Sequence, residues 1–222
     1  MDSSPRLNPQ MLLNAYCQGY FPMSHDGAIY WYDPNPRAIL PLTKLHISKS
    51  LRRTLKRTQV RSADGSLHYF TDIGHPRNSS KSALEIKLNT DFLGVILACA
   101  DPGRRGGWID DQIIDVYNQL HELGWAHSVE TWQDGKLVGG LYGVAVKGLF
   151  AGESMFSHRT DASKVALAWL VQHMRERGFM LLDVQFETPH LKSLGVTNIT
   201  PEYYRHLLSL ALNVEPIHPF KI

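Results

Sequence analysis

The sequence predicts an α+β fold built on a mixed β-sheet, and three features of the chain carry that prediction. From Ser128 the apolar pattern alternates and gives three strands joined by two tight turns, Gln133-Asp-Gly135 and Lys147-Gly148, which is a meander. A long helix follows, opened by the polar run Thr160-Asp161-Ala-Ser163 as its cap and stopped near Arg177 by Gly178. After it comes an apolar strand, Phe179 to Phe186. The order β-β-β-α-β, with a helix crossing to a further strand, makes the sheet mixed and places helices on it.

The elements before the meander are weaker in pattern. Residues 1–9 are polar and read as a mobile lead-in. Pro9 opens a short helix that ends at Gly19, with both boundary residues in their expected places. Tyr20 to Pro36 is dense in aromatics and prolines and reads either as a packed loop or as an aromatic shelf for a ring-shaped ligand. Ile47 to Arg57 fits a helix. At about 100° per residue Lys49, Arg52, Arg53, Lys56 and Arg57 share one arc, opposite Leu51 and Leu55. Residues 61–88 turn polar and aperiodic, a long surface excursion. Asp91 to Cys99 is helical, Asp101 to Gly107 is a glycine-rich turn, and Ile113 to Leu123 is a helix ending at Gly124. Pro201 to Leu212 forms a terminal helix.

Composition excludes several classes. The 222 residues carry a formal net charge of only +2, yet the charge is uneven: residues 1–107 hold 14 Lys+Arg against 8 Asp+Glu. Between Pro34 and Ala63 stand eight basic residues and no acid, a field suited to a polyanion such as nucleic acid. Cys17 and Cys99 lie far apart without ligand spacing, which argues against a disulfide scaffold or structural zinc. No signal peptide and no membrane-spanning apolar run is present, so the expected location is the cytoplasm, with no membrane partner. No metal and no cofactor is indicated: P-loop, Gly-x-Gly-x-x-Gly, Gly-x-Ser-x-Gly and His-Glu-x-x-His motifs are all lacking.

Two places could hold chemistry. In Leu149 to Ser157, LFAGESMFS, an apolar strand carries the single acid Glu153, and burying a carboxylate costs several kcal/mol unless a partner compensates. Backbone amides could supply that partner as well as a ligand could. In Leu181 to Phe186, Asp183 and Gln185 are two apart, which puts both side chains on one strand face. They form either a structural pair or a polar reaction site. The order of strands and helix also resembles that of acyl-CoA N-acetyltransferases, but the turn Ser157 to Ser163 before the main helix lacks the glycines that cradle a pyrophosphate in that family, which disfavours CoA.

Taken in order, Gly19-Tyr-Phe-Pro22, Trp31-Tyr-Asp-Pro-Asn-Pro-Arg37, Leu45-His-Ile-Ser48 with its basic helix, Trp108-Ile, Leu120-His-Glu-Leu-Gly124, Ala126-His-Ser128, Val138-Gly-Gly140, Gly152-Glu-Ser-Met-Phe-Ser157 and Asp183-x-Gln185-x4-His190-x2-Ser-Leu-Gly195 resemble the motifs of the bacterial leucyl/phenylalanyl-tRNA-protein transferases. The resemblance implies an activity: transfer of Leu, Phe or Met from aminoacyl-tRNA to the N-terminal amine of proteins beginning with Arg or Lys, which tags them for N-end-rule degradation. It implies a small N-terminal domain (1–62, with the basic helix), a linking excursion (63–88) and an acetyltransferase-like catalytic domain (89–222), acting as a monomer. It implies Asp183 and Gln185 as the catalytic pair and Glu153 as the acid facing the acceptor's basic residue. Met155, Phe150 and Leu141 would line the donor side-chain pocket, Trp108 would lie near the terminal adenosine, and Lys49, Arg52, Arg53, Lys56 and Arg57 would hold tRNA. Met23 stands where many members carry Trp. The alternatives are a tRNA-dependent transferase with an acidic acceptor and a tRNA-binding protein without catalysis.

Overall fold

The computed structural model of the chain describes residues 7–61, 65–70, 83–103, 107–217 and 220. In chain order the elements are α1 (Pro9–Gln18), β1 (Phe21–His25), β2 (Ala28–Tyr32), β3 (Arg37–Ile39), α2 (Lys49–Leu55), β4 (Gln59–Arg61), β5 (Leu67–Tyr69), β6 (Glu85–Leu88), α3 (Phe92–Cys99), α4 (Asp111–Glu122), β7 (Ala126–Gln133), β8 (Lys136–Val146), β9 (Leu149–Ser157), α5 (Ala162–Arg177), β10 (Leu181–Gln185), α6 (Pro189–Ser193), β11 (Thr197–Ile199) and α7 (Pro201–Ala211). The fold is α+β, as the sequence predicts.

Apart from the β1–β2 hairpin, the strands form one mixed sheet in the order β11-β3-β10-β9-β8-β7-β6-β4-β5. The β9–β10 pair is parallel, because α5 carries the chain back across the sheet between them. The meander turns close at Asp134 (φ 50°) with Gly135 (φ 75°) and at Lys147 (φ 53°), left-handed conformations that match the twist of adjacent strands.

Alternate residues of β8 enter different cores, which puts helices on both faces. Leu141 and Ala145 pack with Phe150, Val165, Ala166, Leu170 and Met174 under α5, and Leu51 and Leu55 of α2 join that core. Tyr142, Val144 and Val146 pack with Leu12, Tyr16, Val95, Ile113 and Tyr117 under α1, α3 and α4. Gly143 sits between these positions: a Cβ there would collide with the Ala151 carbonyl oxygen and the Phe150 ring.

Several local expectations change. Tyr20 to Pro36 contains a hairpin rather than a plain loop, with Phe21 opposite Tyr32 and Met23 opposite Tyr30. Helix α5 lacks its expected side-chain cap: Asp161 has φ 66° and instead accepts from Thr54 Oγ1 at 3.1 Å, while Ser157 Oγ accepts from the Ser163 amide at 3.3 Å. Short strands β5 and β6 lie within the excursion at 63–88, whose residues 71–82 fall outside the described residues. So do residues 104–106 of the glycine-rich turn and residues 1–6 of the lead-in. Strands β3 and β4, from the first 62 residues, hydrogen-bond within the same sheet as the meander.

Candidate active site

The parallel pairing of β9 with β10 runs from Leu149↔Leu181 to Ala151↔Asp183 and stops there, although β9 continues to Ser157 and β10 to Gln185. Both strands are irregular at that point. The β8–β9 register shifts between Tyr142 and Gly143, leaving Glu153 as the extra residue, and the β10–β3 register shifts between Asp183 and Gln185. An opening therefore forms at the carboxyl ends of the two parallel strands, where ligands of such sheets bind. The amide of Gln185 spans it: Nε2 donates to Glu153 Oε1 at 3.1 Å.

The shift overturns the expectation that Asp183 and Gln185 share a face by simple alternation. Gln185 has φ 58°, costly for a side chain of its kind, and such strain persists where surrounding contacts impose it. Asp183 imposes it here, since its Oδ1 accepts the Gln185 backbone N–H at 3.0 Å. The rest of the Asp183 carboxylate faces inward. Arg37 Nε donates to Oδ1 at 3.0 Å, Arg37 Nη2 to Oδ2 at 2.6 Å, and the Tyr204 hydroxyl to Oδ2 at 2.8 Å.

Arg37 is itself sealed. Both it and Asp183 are 1 % exposed. Its Nη1 donates to the Gly19 carbonyl at 2.8 Å, and its guanidinium lies between the rings of Phe21 and Tyr204, at 4.9 and 4.3 Å from their centroids. Burial pulls the guanidinium's pKa down, but the Asp183 carboxylate pushes it higher still, so Arg37 stays charged. Sequence reasoning missed Arg37 as a site residue, although it closes the motif Trp31 to Arg37.

Glu153 meets a second set of partners. The Tyr117 hydroxyl donates to its Oε2 at 3.0 Å, and a short hydrogen bond links the Tyr117 and Tyr16 hydroxyls. Burial pushes the Glu153 carboxyl up to about 8; the hydroxyls of Tyr16 and Tyr117 pull the other way without cancelling it. Burial also raises both tyrosine hydroxyls, which keeps them as donors.

The residues implied for the donor pocket lie on the α5 face. Leu141 and Met155 are cross-strand neighbours, and Phe150 is fully buried in the same core. Trp108 is partly buried against the other core, as are Met23 and Tyr32, and its carbonyl accepts the Ser24 amide at 3.2 Å. Lys49, Arg52, Arg53, Lys56 and Arg57 are all exposed. Arg53 and Arg57, with Thr54, Arg159 and Thr160, line a cleft of about 520 Å³ between α2 and the turn before α5. Among the described residues no cluster of three or more His, Cys, Asp or Glu is arranged to hold a metal, and no helix is long and apolar enough to cross a membrane.

Known families match this chain along most of its length. Residues 71–209 match the family described as leucyl/phenylalanyl-tRNA protein transferase, and residues 6–35 match the N-terminal domain of the same description. The chain belongs to that family. A leucyl/phenylalanyl-tRNA–protein transferase of Herpetosiphon aurantiacus is 48% identical over 93% of this chain and 95% of its own length. One of Dinoroseobacter shibae is 43% identical over 96% of this chain and 86% of its own. Among solved structures, a ribosomal-protein-alanine N-acetyltransferase from Brucella melitensis biovar Abortus aligns with a TM-score of 0.36 at 20% identity, over 50% of this chain and 86% of that one.

Proposed function

We propose that this member of the leucyl/phenylalanyl-tRNA protein transferase family moves Leu, Phe or Met from aminoacyl-tRNA to the α-amine of proteins that begin with Arg or Lys. The observation that carries the reading is the Gln185–Glu153 bridge across the opening of β9 and β10, anchored from behind by Asp183 and Arg37. An aminoacyl ester is already activated, so its aminolysis needs no covalent enzyme intermediate. Holding ester and amine in line is worth roughly 7–11 kcal/mol of barrier.

Each residue then has a role. Because Gln185 Nε2 is engaged by Glu153, its Oε1 is the atom offered to the incoming amine. Asp183 is a positioning residue: its carboxylate is spent on Arg37, Tyr204 and the Gln185 amide, so it acts through the backbone of Gln185. Glu153, where its carboxyl is ionised, favours a cationic acceptor residue. Leu141, Phe150 and Met155 supply an apolar wall for the donor side chain, and such a wall discriminates Leu, Phe and Met by only about 1–3 kcal/mol per methylene. Trp108 takes the terminal adenosine, and the cations of α2 take the tRNA backbone. The chain works as a monomer in the cytoplasm, where charged tRNA is found, and its products enter N-end-rule degradation.

The test is transfer of labelled Leu or Phe from charged tRNA to proteins that differ only in the first residue: Arg, Lys, Glu, Asp or Ala. Transfer to Arg and Lys alone supports the reading. Transfer to acidic starts would keep the chemistry and change the acceptor, and binding of charged tRNA without transfer would leave a non-catalytic role.

A further inference from the structure

We propose that Glu153 is the proton acceptor of this reaction and that Tyr117, backed by Tyr16, is the positioning relay that holds it as a base, an assignment that rests on the transferase reading above. The reaction needs such a group. An α-ammonium with a pKa near 8 is mostly protonated at neutral pH and attacks no ester until it loses a proton. The neighbours are poor candidates. The Gln185 amide is not basic, and Asp183 is enclosed by Arg37, Tyr204 and the Gln185 backbone amide. Asp33 lies between two cations, at 3.6 Å from both Arg37 and Arg205.

Glu153 is the exception at the opening, being half-buried rather than sealed. Its inner side is organised by a one-way chain of donors: an ionised carboxylate only accepts, so Tyr117 donates to Glu153 Oε2 and Tyr16 donates to Tyr117. Tyr16 and Tyr117 are 2 % and 0 % exposed, and two buried hydroxyls that end on one carboxylate do more than fill space. The other oxygen, Oε1, takes the Gln185 amide and so sits beside the group that receives the amine. The ionisable groups that face Glu153 are Tyr16 from α1, Tyr117 from α4, Tyr142 from β8 by way of Tyr117, Asp183 from β10 and its partner Arg37 from β3. A carboxyl at about 8 is matched to an α-amine, which makes the transfer close to balanced.

The protons balance as follows. One passes from the α-ammonium to the Glu153 carboxylate. The freed lone pair forms the C–N bond at the ester carbonyl carbon, the bond from that carbon to the ribose oxygen breaks, and a second nitrogen proton goes to the departing oxygen. The third stays as the amide N–H, and Glu153 returns its proton to solvent.

The experiment is single-turnover transfer at saturating Arg-starting acceptor, comparing wild type with Glu153→Gln across pH. At about pH 7 the variant should be slower by 10²-fold or more, and by about pH 9, where the amine loses its proton unaided, the gap should close to within about tenfold. A defect that is constant or grows with pH overturns the assignment, because that is what loss of mere cation attraction would give. Tyr117→Phe keeps the ring and removes the donor, so the acidic limb of the profile should move to higher pH; an unmoved limb overturns the relay. A wild type that transfers nothing overturns the functional reading as well, whereas normal wild-type transfer with a pH-independent Glu153→Gln defect overturns this assignment alone.

Discussion

At the scale of single residues the site rests on two carboxylates in opposite circumstances. Asp183 is buried and paired, so its loss strands a guanidinium: Asp183→Ala should lower stability by about 3–5 kcal/mol and reduce the melting temperature along with the transfer rate. An Asp183→Ala chain that melts like wild type would contradict the buried pair. Glu153 is held against its preference. Its carboxyl ionises at about 8 in the fold against an ordinary 4.5, so folding opposes the charge; the penalty is absent below about 4.5 and complete above about 8. Glu153→Gln should therefore stabilise the chain by roughly 1–2 kcal/mol near pH 8 and by almost nothing near pH 5, a difference that thermal melts at the two pH values would measure. Asp183, Gln185 and Glu153 were legible in the sequence because polar residues in apolar strands demand partners. Arg37 was not, since a cation among prolines has no periodic signal, and the bulge that separates Asp183 from Gln185 leaves no mark in a period of two.

At the scale of elements, helix α2 does what its pattern foretold. Leu51 and Leu55 are buried, and the five cations remain in solvent. Arg53→Gln and Arg57→Gln should each weaken tRNA binding and reduce the salt dependence of log affinity by about one unit of slope, with melting unchanged, as binding titrations at several salt concentrations would reveal. The β8–β9 ribbon is less tolerant. Gly143→Ala would drive a Cβ into the Ala151 carbonyl and the Phe150 ring, and a collision with backbone in a central strand should cost more than about 2 kcal/mol, read as a fall in the denaturant midpoint. Meander and crossover helix could be read from the chain because Asp134-Gly135, Lys147-Gly148 and Gly178 punctuate them. Strands β3 and β11 could not: three residues are too few to establish a period, and their partners lie more than a hundred residues away. The hairpin β1–β2 was hidden by Pro22, which a strand tolerates where its N–H is not needed.

At the scale of the molecule, the site joins parts that the sequence reading assigned to different units. Tyr16 comes from α1 and Arg37 from β3, while Glu153 and Gln185 come from β9 and β10. The division at residues 62 and 88 remains a proposal about folding units, and its sharpest test is cooperativity. Strand β3 lies between β10 and β11, and Leu40, Leu51, Leu55 and Val60 share one core with Phe150, Ala166 and Leu170. Removing the first unit would expose that core and unpair the buried Asp183. We therefore expect one unfolding transition in denaturant, with circular dichroism, tryptophan fluorescence and residual transfer activity lost at the same midpoint. Two separated transitions, with activity lost in the first, would mean that residues 1–62 fold on their own and only dock against the sheet. In that case the Arg37–Asp183 pair would be the latch between two units rather than part of a single core, and Asp183→Ala would shift the first transition alone.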